Sequence, residues 1–307
     1  MPEPFVSVII PVFNDAEKLK TCLSALAQQT YRPDSYEVIV VDNGSENFEE
    51  IEALAAQFPQ VVLTQESTPG SYAARNKGIS VAKGSIIAFT DSDCIPAPDW
   101  LEKGVHCLLE HPHCGLVAGR IDIFYKDSEN PTAVELYDGV IMGFPQDEFI
   151  SKRKAGATAN VFTWKHVVDQ VGNFKAQMKS HGDMEWGKRV HTAGYELIYA
   201  DNARIAHPAR DSFQQLYKRT IRLVGGMYDM YVTQENSIWK RNKRVVRFIV
   251  SDLLLLGIGK NIRKAWQDSR LQRIDLRLKV IGIILIMRYV GMTEKIRLKF
   301  GGSAFRG

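Results

Sequence analysis

Residues 85–93 read Ser-Ile-Ile-Ala-Phe-Thr-Asp-Ser-Asp. Ser85–Phe89 is a short, mostly apolar run, the mark of a buried strand. It ends near Asp91. Asp91-Ser92-Asp93 then sets two carboxylates on alternate residues just past the strand end, where both are able to face one space. Carboxylate oxygens suit Mg2+ or Mn2+, ions that keep several waters and bridge to substrate phosphates. Taken alone, an Asp-x-Asp reads more often as a capped turn with solvated acids. The surrounding pattern reverses that preference.

N-terminal to this stretch the periodicity alternates. Val6–Ile10 reads as a strand stopped by Pro11, with Asn14 or Asp15 placed to cap a helix bearing Leu19, Cys22, Leu23 and Leu26. Glu37–Val41 is a second strand ending at Asp42, and Phe48, Ile51 and Leu54 mark a second helix. Val61–Thr64 is a third strand and Ser71–Ala82 a third helix. Beyond Asp93, Trp100–Leu109 is helical and Gly115–Ala118 strand-like. Such alternation predicts an α/β domain with a largely parallel sheet and helices on both faces. Ligands then bind beyond the carboxyl ends of the strands, which would gather Asp15, Asp42, Asp91 and Asp93 at one rim.

The whole chain has 307 residues, 45% hydrophobic and 24% charged, enough for a sizeable core. Its net charge of +4 conceals a division. Residues 1–235 hold 22 basic against 31 acidic residues, a balance of −9; residues 236–307 hold 17 against 4, a balance of +13. Asymmetry of this kind points to two parts with different partners. No run approaches ~18 uncharged apolar residues, so a simple spanning helix is not expected. The opening MPEPFVSVII has no basic region, so no secretory signal is expected either. Cys22, Cys94, Cys107 and Cys114 form no CxxC pair, which fits a reducing cytoplasm. His106, Cys107, His111, His113 and Cys114 crowd together, but their placement on a helix and its exit turn argues against zinc.

Two further segments invite chemistry. Val41-Asp42-Asn43-Gly44-Ser45 puts a carboxylate at a strand tip, able to accept a nucleobase proton or simply to close an Asn-Gly turn. Gly70-Ser-Tyr-Ala-Ala-Arg-Asn-Lys-Gly78 puts Arg75 on a helix whose N-terminus favours anions; the plainer reading is a surface helix with solvated cations. No GxGxxG follows the first strand, and neither GxxxxGK[ST] nor GxSxG occurs. Nicotinamide dehydrogenases, P-loop NTPases and α/β-hydrolases are thereby disfavoured.

The segments Val6-Ser-Val-Ile-Ile-Pro-Val-Phe-Asn14, Val41-Asp-Asn-Gly-Ser45, Ala74-Arg-Asn-Lys-Gly78 and Ile87-Ala-Phe-Thr-Asp-Ser-Asp93 resemble glycosyltransferase family two in order and spacing. So do Gly156-Ala-Thr-Ala-Asn160, Val171-Gly-Asn-Phe174, His181-Gly-Asp-Met-Glu-Trp-Gly-Lys-Arg189 and Ile205-Ala-His207. The resemblance covers about residues 5–210. It implies a GT-A fold, a nucleoside-diphosphate-sugar donor (UDP first, GDP or dTDP as alternatives), a divalent metal, Mn2+ or Mg2+, and inversion at the anomeric carbon. Carried over residue by residue, it makes Asp42 the nucleobase contact, with Pro11, Phe13 and Asp15 lining the nucleotide pocket. Arg75 falls near base or diphosphate. Asp93 is the metal ligand, Asp91 a ribose or metal contact with Ser92 between them, and His207 a residue near metal or diphosphate. Asp183 is the catalytic base. Many members carry an adjacent Glu-Asp pair there, whereas this chain has Gly182-Asp183, so Glu185 becomes the rival base. Trp186 and Lys188-Arg189 read as acceptor or phosphate contacts, with core packing an equal reading for Trp186.

The tail lies outside that coverage. Leu271, Ile274, Leu278, Ile281 and Leu285 recur at helical spacing, with Arg270, Arg273 and Arg277 off the stripe. A basic amphipathic helix reads as membrane-surface binding; the plainer reading is a helical domain packed on the catalytic part. No nucleic-acid module accompanies the charge. The expected organisation is a GT-A catalytic domain over 1–212 and a basic helical region over 213–307. The expected function is an inverting transferase on the cytoplasmic face of a membrane, serving a lipid-linked or envelope glycan. The alternatives are a soluble transferase for a small molecule or protein, and a silent sugar-nucleotide-binding scaffold.

Overall fold

The computed structural model describes residues 3–233 and 235–305. They fall into two compact units: Met1–Asp122, Phe144–Gln177 and Gly182–His207 form one, and Ile123–Gly143, Met178–His181 and Pro208–Gly307 the other. The second unit thus takes in two excursions from the middle of the chain besides the C-terminal part.

The first unit is built on an eight-stranded sheet of order β3-β2-β1-β4-β7-β6-β8-β5. Its strands are β1 (Val6–Val12), β2 (Tyr36–Asp42), β3 (Val61–Gln65), β4 (Ile86–Thr90), β5 (Ile95–Pro96), β6 (Cys114–Phe124), β7 (Asn160–Trp164) and β8 (Glu196–Pro208). β1, β2, β3 and β4 pair in parallel, with Val8 opposite Val38 and Ala88, as the alternating pattern predicts. β1, β2 and β4 are buried almost throughout, which is why they read as continuous apolar runs. From β7 outward the sense changes: β4–β7, β6–β7 and β5–β8 are antiparallel. Pro11 does not end β1, which runs to Val12. The ladder to β4 has already ended at Ile9 opposite Phe89, so the missing N–H of Pro11 lies on a stretch paired to β2 alone.

Helices α1 (Ala16–Leu26), α2 (Phe48–Ala55), α3 (Ser71–Val81) and α4 (Trp100–Glu110) cover the sheet through the apolar positions their spacing marks. Two of them approach the sheet through glycine: a Cβ on Gly78 of α3 would stand 2.5 Å from Cγ2 of Ile9, and one on Gly104 of α4 2.2 Å from Cζ of Phe162. Asp15 occupies the N-cap of α1 but makes no side-chain cap bond, pairing with Lys18 at 3.2 Å instead. Three short helices, α5 (Ala133–Leu136), α6 (Gln146–Glu148) and α7 (Lys165–Val171), and the longer α8 (Gly182–Thr192) follow.

The second unit is helical. α5 opens on a capping box, Thr132 with Glu135, and runs on as a π-turn through Tyr137–Met142. α9 (Phe213–Tyr228) is capped by Ser212, whose Oγ accepts from the Gln215 N–H; α10 (Ile238–Leu253), α11 (Ile258–Gln267) and α12 (Ile274–Lys299) follow. Their common core includes Leu136, Val140, Leu216, Leu271, Ile284 and Met287. Inside this unit Asp138 is almost wholly buried and receives Arg210 at 3.2 Å and Arg219. Among the described residues no helix is long and apolar enough to cross a membrane.

Candidate active site

The carboxyl ends of β1, β2 and β3 are laced together by two asparagines. The Asn14 N–H donates to Ser45 Oγ at 2.9 Å, and Asn14 Oδ1 accepts from the Glu46 N–H at 2.8 Å. Asn14 adopts φ 50° to do so, a conformation asparagine tolerates better than most residues. Asn43 Nδ2 donates to the carbonyls of Glu66 and Thr68, both at 2.8 Å, and its Oδ1 accepts the Gly70 N–H at 2.6 Å, tying the β2 tip to the start of α3. Both asparagines stand within the quoted segments. The signal for this role is the amide itself, which both donates and accepts.

Asp42 closes the turn between these ties. Its carboxylate accepts the Gly44 N–H at 3.1 Å and the Ser45 N–H at 3.3 Å, and the residue is buried. Phe13 stands out at 56% exposure beside partly buried Pro11. Burial holds the Asp15 carboxyl above its ordinary range; Lys18 opposes this, and the negative charge of Asp93 adds to it. Asp15 and Asp93 therefore contribute to one acidic field, although they stand 78 positions apart in the sequence.

Asp91 and Asp93 leave β4 in different directions. Asp91 Oδ1 accepts from Nη2 of Arg75, which reaches it from the buried face of α3. Arg75 is thus no solvated surface cation, and its Nε is buried without a hydrogen-bond partner among the described residues. Asp93 turns instead toward β8: its Oδ1 lies 3.7 Å from Nε2 of buried His207, which packs on Phe144 with ring centroids 4.9 Å apart. Asp93, Cys94 and His207 bring candidate ligand atoms within 4.8 Å of one another, a grouping that does not include Asp91. Cys94, which the sequence marks only as an unpaired cysteine, joins this group through its buried sulfur. Burial, aided by Asp91 and Asp93, pushes its thiol well above the usual range. The His106–Cys114 crowd forms no such group among the described residues: His106 pairs with Glu110 at 3.0 Å and His111 with the Cys107 carbonyl at 2.9 Å.

Asp183 lies in the first turn of α8, where the helix dipole favours a negative charge. Its Oδ1 accepts from the Tyr72 hydroxyl at 3.3 Å and from the Met184 N–H at 2.8 Å. Glu185 is differently placed, paired with Lys175 at 2.8 Å and with Arg189 at 3.1 Å. Arg189 also donates to the carbonyls of Gly172 and Asn173, so it braces the loop before α8. Trp186 is buried, donates to the Gly172 carbonyl at 3.0 Å and packs on Phe174; of its two sequence readings, core packing describes it. Phe174 also stacks on Tyr72 and is pinned by Asn76 through two backbone bonds of 2.8 and 3.0 Å. The Arg75 guanidinium lies 5.7 Å from the Tyr72 ring centroid. A continuous chain of contacts therefore runs Asp91–Arg75–Tyr72–Asp183.

The family model for Glycosyl transferase family 2 matches residues 7–180. The chain belongs to this family. It is 40% identical over 240 residues to glycosyltransferase AglE of Haloferax volcanii, covering 76% of this chain and 77% of that protein. It is 30% identical over 222 residues to a pre-mycofactocin glycosyltransferase of Mycobacterium tuberculosis, covering 70% of this chain but 45% of the mycobacterial one. Among solved structures, the mannosyltransferase PcManGT of Pyrobaculum calidifontis, in complex with GDP-Man and Mn2+, superposes with a TM-score of 0.65. That superposition covers 98% of this chain and 88% of PcManGT at 17% identity, a likeness of fold. The first unit is thus the GT-A sheet of a family 2 glycosyltransferase, and the turn to antiparallel pairing beyond β4 is part of it.

Proposed function

We propose that this family 2 glycosyltransferase is an inverting, metal-assisted enzyme that moves a sugar from a nucleoside diphosphate to an acceptor hydroxyl. The observation that carries the reading is the contact chain from Asp91 through Arg75 and Tyr72 to Asp183, which couples the acidic donor-side cluster to a carboxylate suited to act as base. The residues present fit a divalent ion: the Asp93 carboxylate suits Mn2+ or Mg2+, and the His207 imidazole beside it favours Mn2+ of the two, while the neighbouring Cys94 sulfur is soft. Bound there, Mn2+ or Mg2+ would neutralise charge on the diphosphate.

The chain's own groups supply the rest. Asp42, Pro11, Phe13 and Asp15 are assigned to the nucleoside, Asp91 and Ser92 to the ribose side, and Arg75, with its unpartnered buried Nε, to the diphosphate. Asp183 accepts the acceptor hydroxyl's proton on Oδ2, the oxygen not engaged by Tyr72 and Met184. The acceptor oxygen bonds to the anomeric carbon as its bond to the diphosphate oxygen breaks, and the electron pair leaves with the nucleoside diphosphate. Base assistance of this kind is worth ~10²–10⁴-fold. One carboxylate on the face opposite the leaving group yields inversion in a single step.

The acceptor is assigned as a lipid-linked or envelope glycan, reached at the cytoplasmic face of an anionic membrane through the basic C-terminal region. The +13 balance over 236–307 supports this part. A soluble transferase with a small acceptor is the second reading. A panel of UDP-, GDP- and dTDP-sugars, assayed for hydrolysis and transfer with and without Mn2+, tests the proposal. Absence of turnover with every donor and any acceptor extract would leave a silent sugar-nucleotide-binding protein.

A further inference from the structure

In the first unit the exposed large apolar residues are Phe13, Val62, Val81 and Leu109, far apart in sequence. Scattered exposure of this kind is ordinary. The second unit is different. On α10, Trp239, Val246, Val250 and Leu253 follow one another at seven, four and three residues, which places them on one helical face. All four are exposed, Trp239 at 67% and Leu253 at 61%. Val245, on the opposite flank, is the position this helix buries. Past its end the chain turns through Leu254, Leu255 and Leu256, every one exposed. Leu255 takes φ 50° and Gly257 φ 79°, so the turn uses a left-handed leucine rather than burying it.

The charge around this face is one-sided. Between residues 236 and 267 stand eight Lys and Arg but one acid, Asp252, and that acid is committed to Arg288 at 3.2 Å and Lys295 at 2.5 Å. Lys240, Lys243 and Arg247 are exposed along the flank of the apolar stripe, and Lys243 Nζ lies 4.9 Å from the Trp239 ring centroid. An apolar face bordered by long cationic side chains and carrying an indole suits the boundary between acyl chains and anionic headgroups. A second copy of this chain brought against the same face would set like charges together. α10 has 16 residues and carries five Lys and Arg, too short and too charged to span a bilayer, so the contact is in-plane.

We propose that α10 and the Leu253–Leu256 turn form an in-plane membrane anchor that inserts its leucines below the headgroups of an anionic bilayer. The proposal rests on the membrane-facing reading given above and deepens it: it assigns the segment, and it specifies insertion where charge attraction alone would suffice for docking.

Flotation of the full chain with phosphatidylcholine vesicles containing about one-third phosphatidylglycerol tests it. Inserted protein stays bound at about 1 M salt, where the screening length shrinks to ~3 Å. Vesicles of brominated lipid quench its tryptophan fluorescence, and Trp239→Phe removes most of that quenching. The double variant Leu254→Glu, Leu256→Glu, at exposed positions, keeps its circular dichroism and donor turnover but loses about tenfold or more of its vesicle partitioning. Binding that vanishes at high salt without quenching would overturn insertion in favour of electrostatic docking. Protein that sediments as a dimer and does not float would overturn the bilayer as occupant. Turnover without flotation defeats the anchor alone, and flotation without turnover defeats the catalytic reading alone.

Discussion

The Tyr72 hydroxyl holds Oδ1 of Asp183 at 3.3 Å, joining α3 to α8 across 111 positions of sequence. The same tyrosine accounts for the glycine beside Asp183. A Cβ on Gly182 would stand 2.7–2.9 Å from three atoms of the Tyr72 ring. Where many family members place a second acid, this chain places an aromatic ring whose hydroxyl orients the remaining one. Tyr72→Phe keeps the ring stacked on Phe174 but removes the bond. It is expected to lower kcat about tenfold, roughly 1.4 kcal/mol of barrier, with donor KM unchanged. Steady-state kinetics at saturating donor checks it; an unchanged kcat would detach Tyr72 from the base.

The two candidate bases separate by their partners. Glu185 is neutralised by Lys175 and Arg189, whereas the partners of Asp183 engage Oδ1. Asp183→Asn is expected to reduce transfer by ~10²–10⁴-fold while donor binding survives. Glu185→Gln should affect stability more than rate. Calorimetric donor titration beside transfer assays decides this, and the opposite ranking would move the base to Glu185.

At the proposed metal-ligating group, Asp93→Ala and His207→Ala should each raise the Mn2+ concentration for half-maximal activity by about tenfold or more. Cys94→Ser should leave that response in place, because burial keeps the thiol protonated and its sulfur is a poor match for a hard ion. Metal titration of the three variants is the measurement. A loss confined to Cys94→Ser would point to a soft metal.

Asp138 carries the charge balance of the second unit's interior. Burial, reinforced by Arg210, pushes Arg219 down to about 10, and Asp138 is the carboxylate that opposes this. Asp138→Asn leaves Arg219 buried beside a neutral amide, at a cost of ~3–5 kcal/mol. Urea denaturation followed by circular dichroism would register it. A shift below about 1 kcal/mol would mean that other groups satisfy Arg219.

Glu135 should impose an acid limb on the second unit's stability. Burial raises its carboxyl, but this is outweighed by N–H donors from Thr132 and Lys126 and the Thr132 hydroxyl, so it is held below the usual glutamate range. A carboxylate lowered on folding stabilises fully above its unfolded value, and that stability is lost as pH falls through the folded one. Glu135→Gln should therefore cost about 1 kcal/mol at neutral pH and progressively less as the medium becomes acidic. Melting curves of both proteins across that range check the sign.

The local chemistry of the chain announced β1 to β4, their helices and the acidic rim, because buried parallel strands and amphipathic helices write their own periodicity. The motifs from Val6 to Asp93 also named the family before any coordinate. Strand direction beyond β4 was not legible: the sequence from 120 to 212 lacks a regular apolar period, and a strand's burial pattern is silent about its partner's sense. Nor was it legible that Asp91 and Asp93 diverge, one to Arg75 and the other to His207, since alternate residues at a strand exit are steered by what lies beside each. The tail's stripe was visible, but its orientation was not. Ile274, Leu278 and Leu285 lie exposed, while Val280, Ile283, Ile284 and Met287 face the core of the second unit. Periodicity states that a helix has an apolar face, and packing alone decides which of two such faces is covered. For this protein the sequence determined the family, the parallel half of the sheet and the inventory of reactive groups. Tertiary structure decided which of those groups meet, because contacts such as Tyr72 with Asp183 depend on distances that no local rule contains.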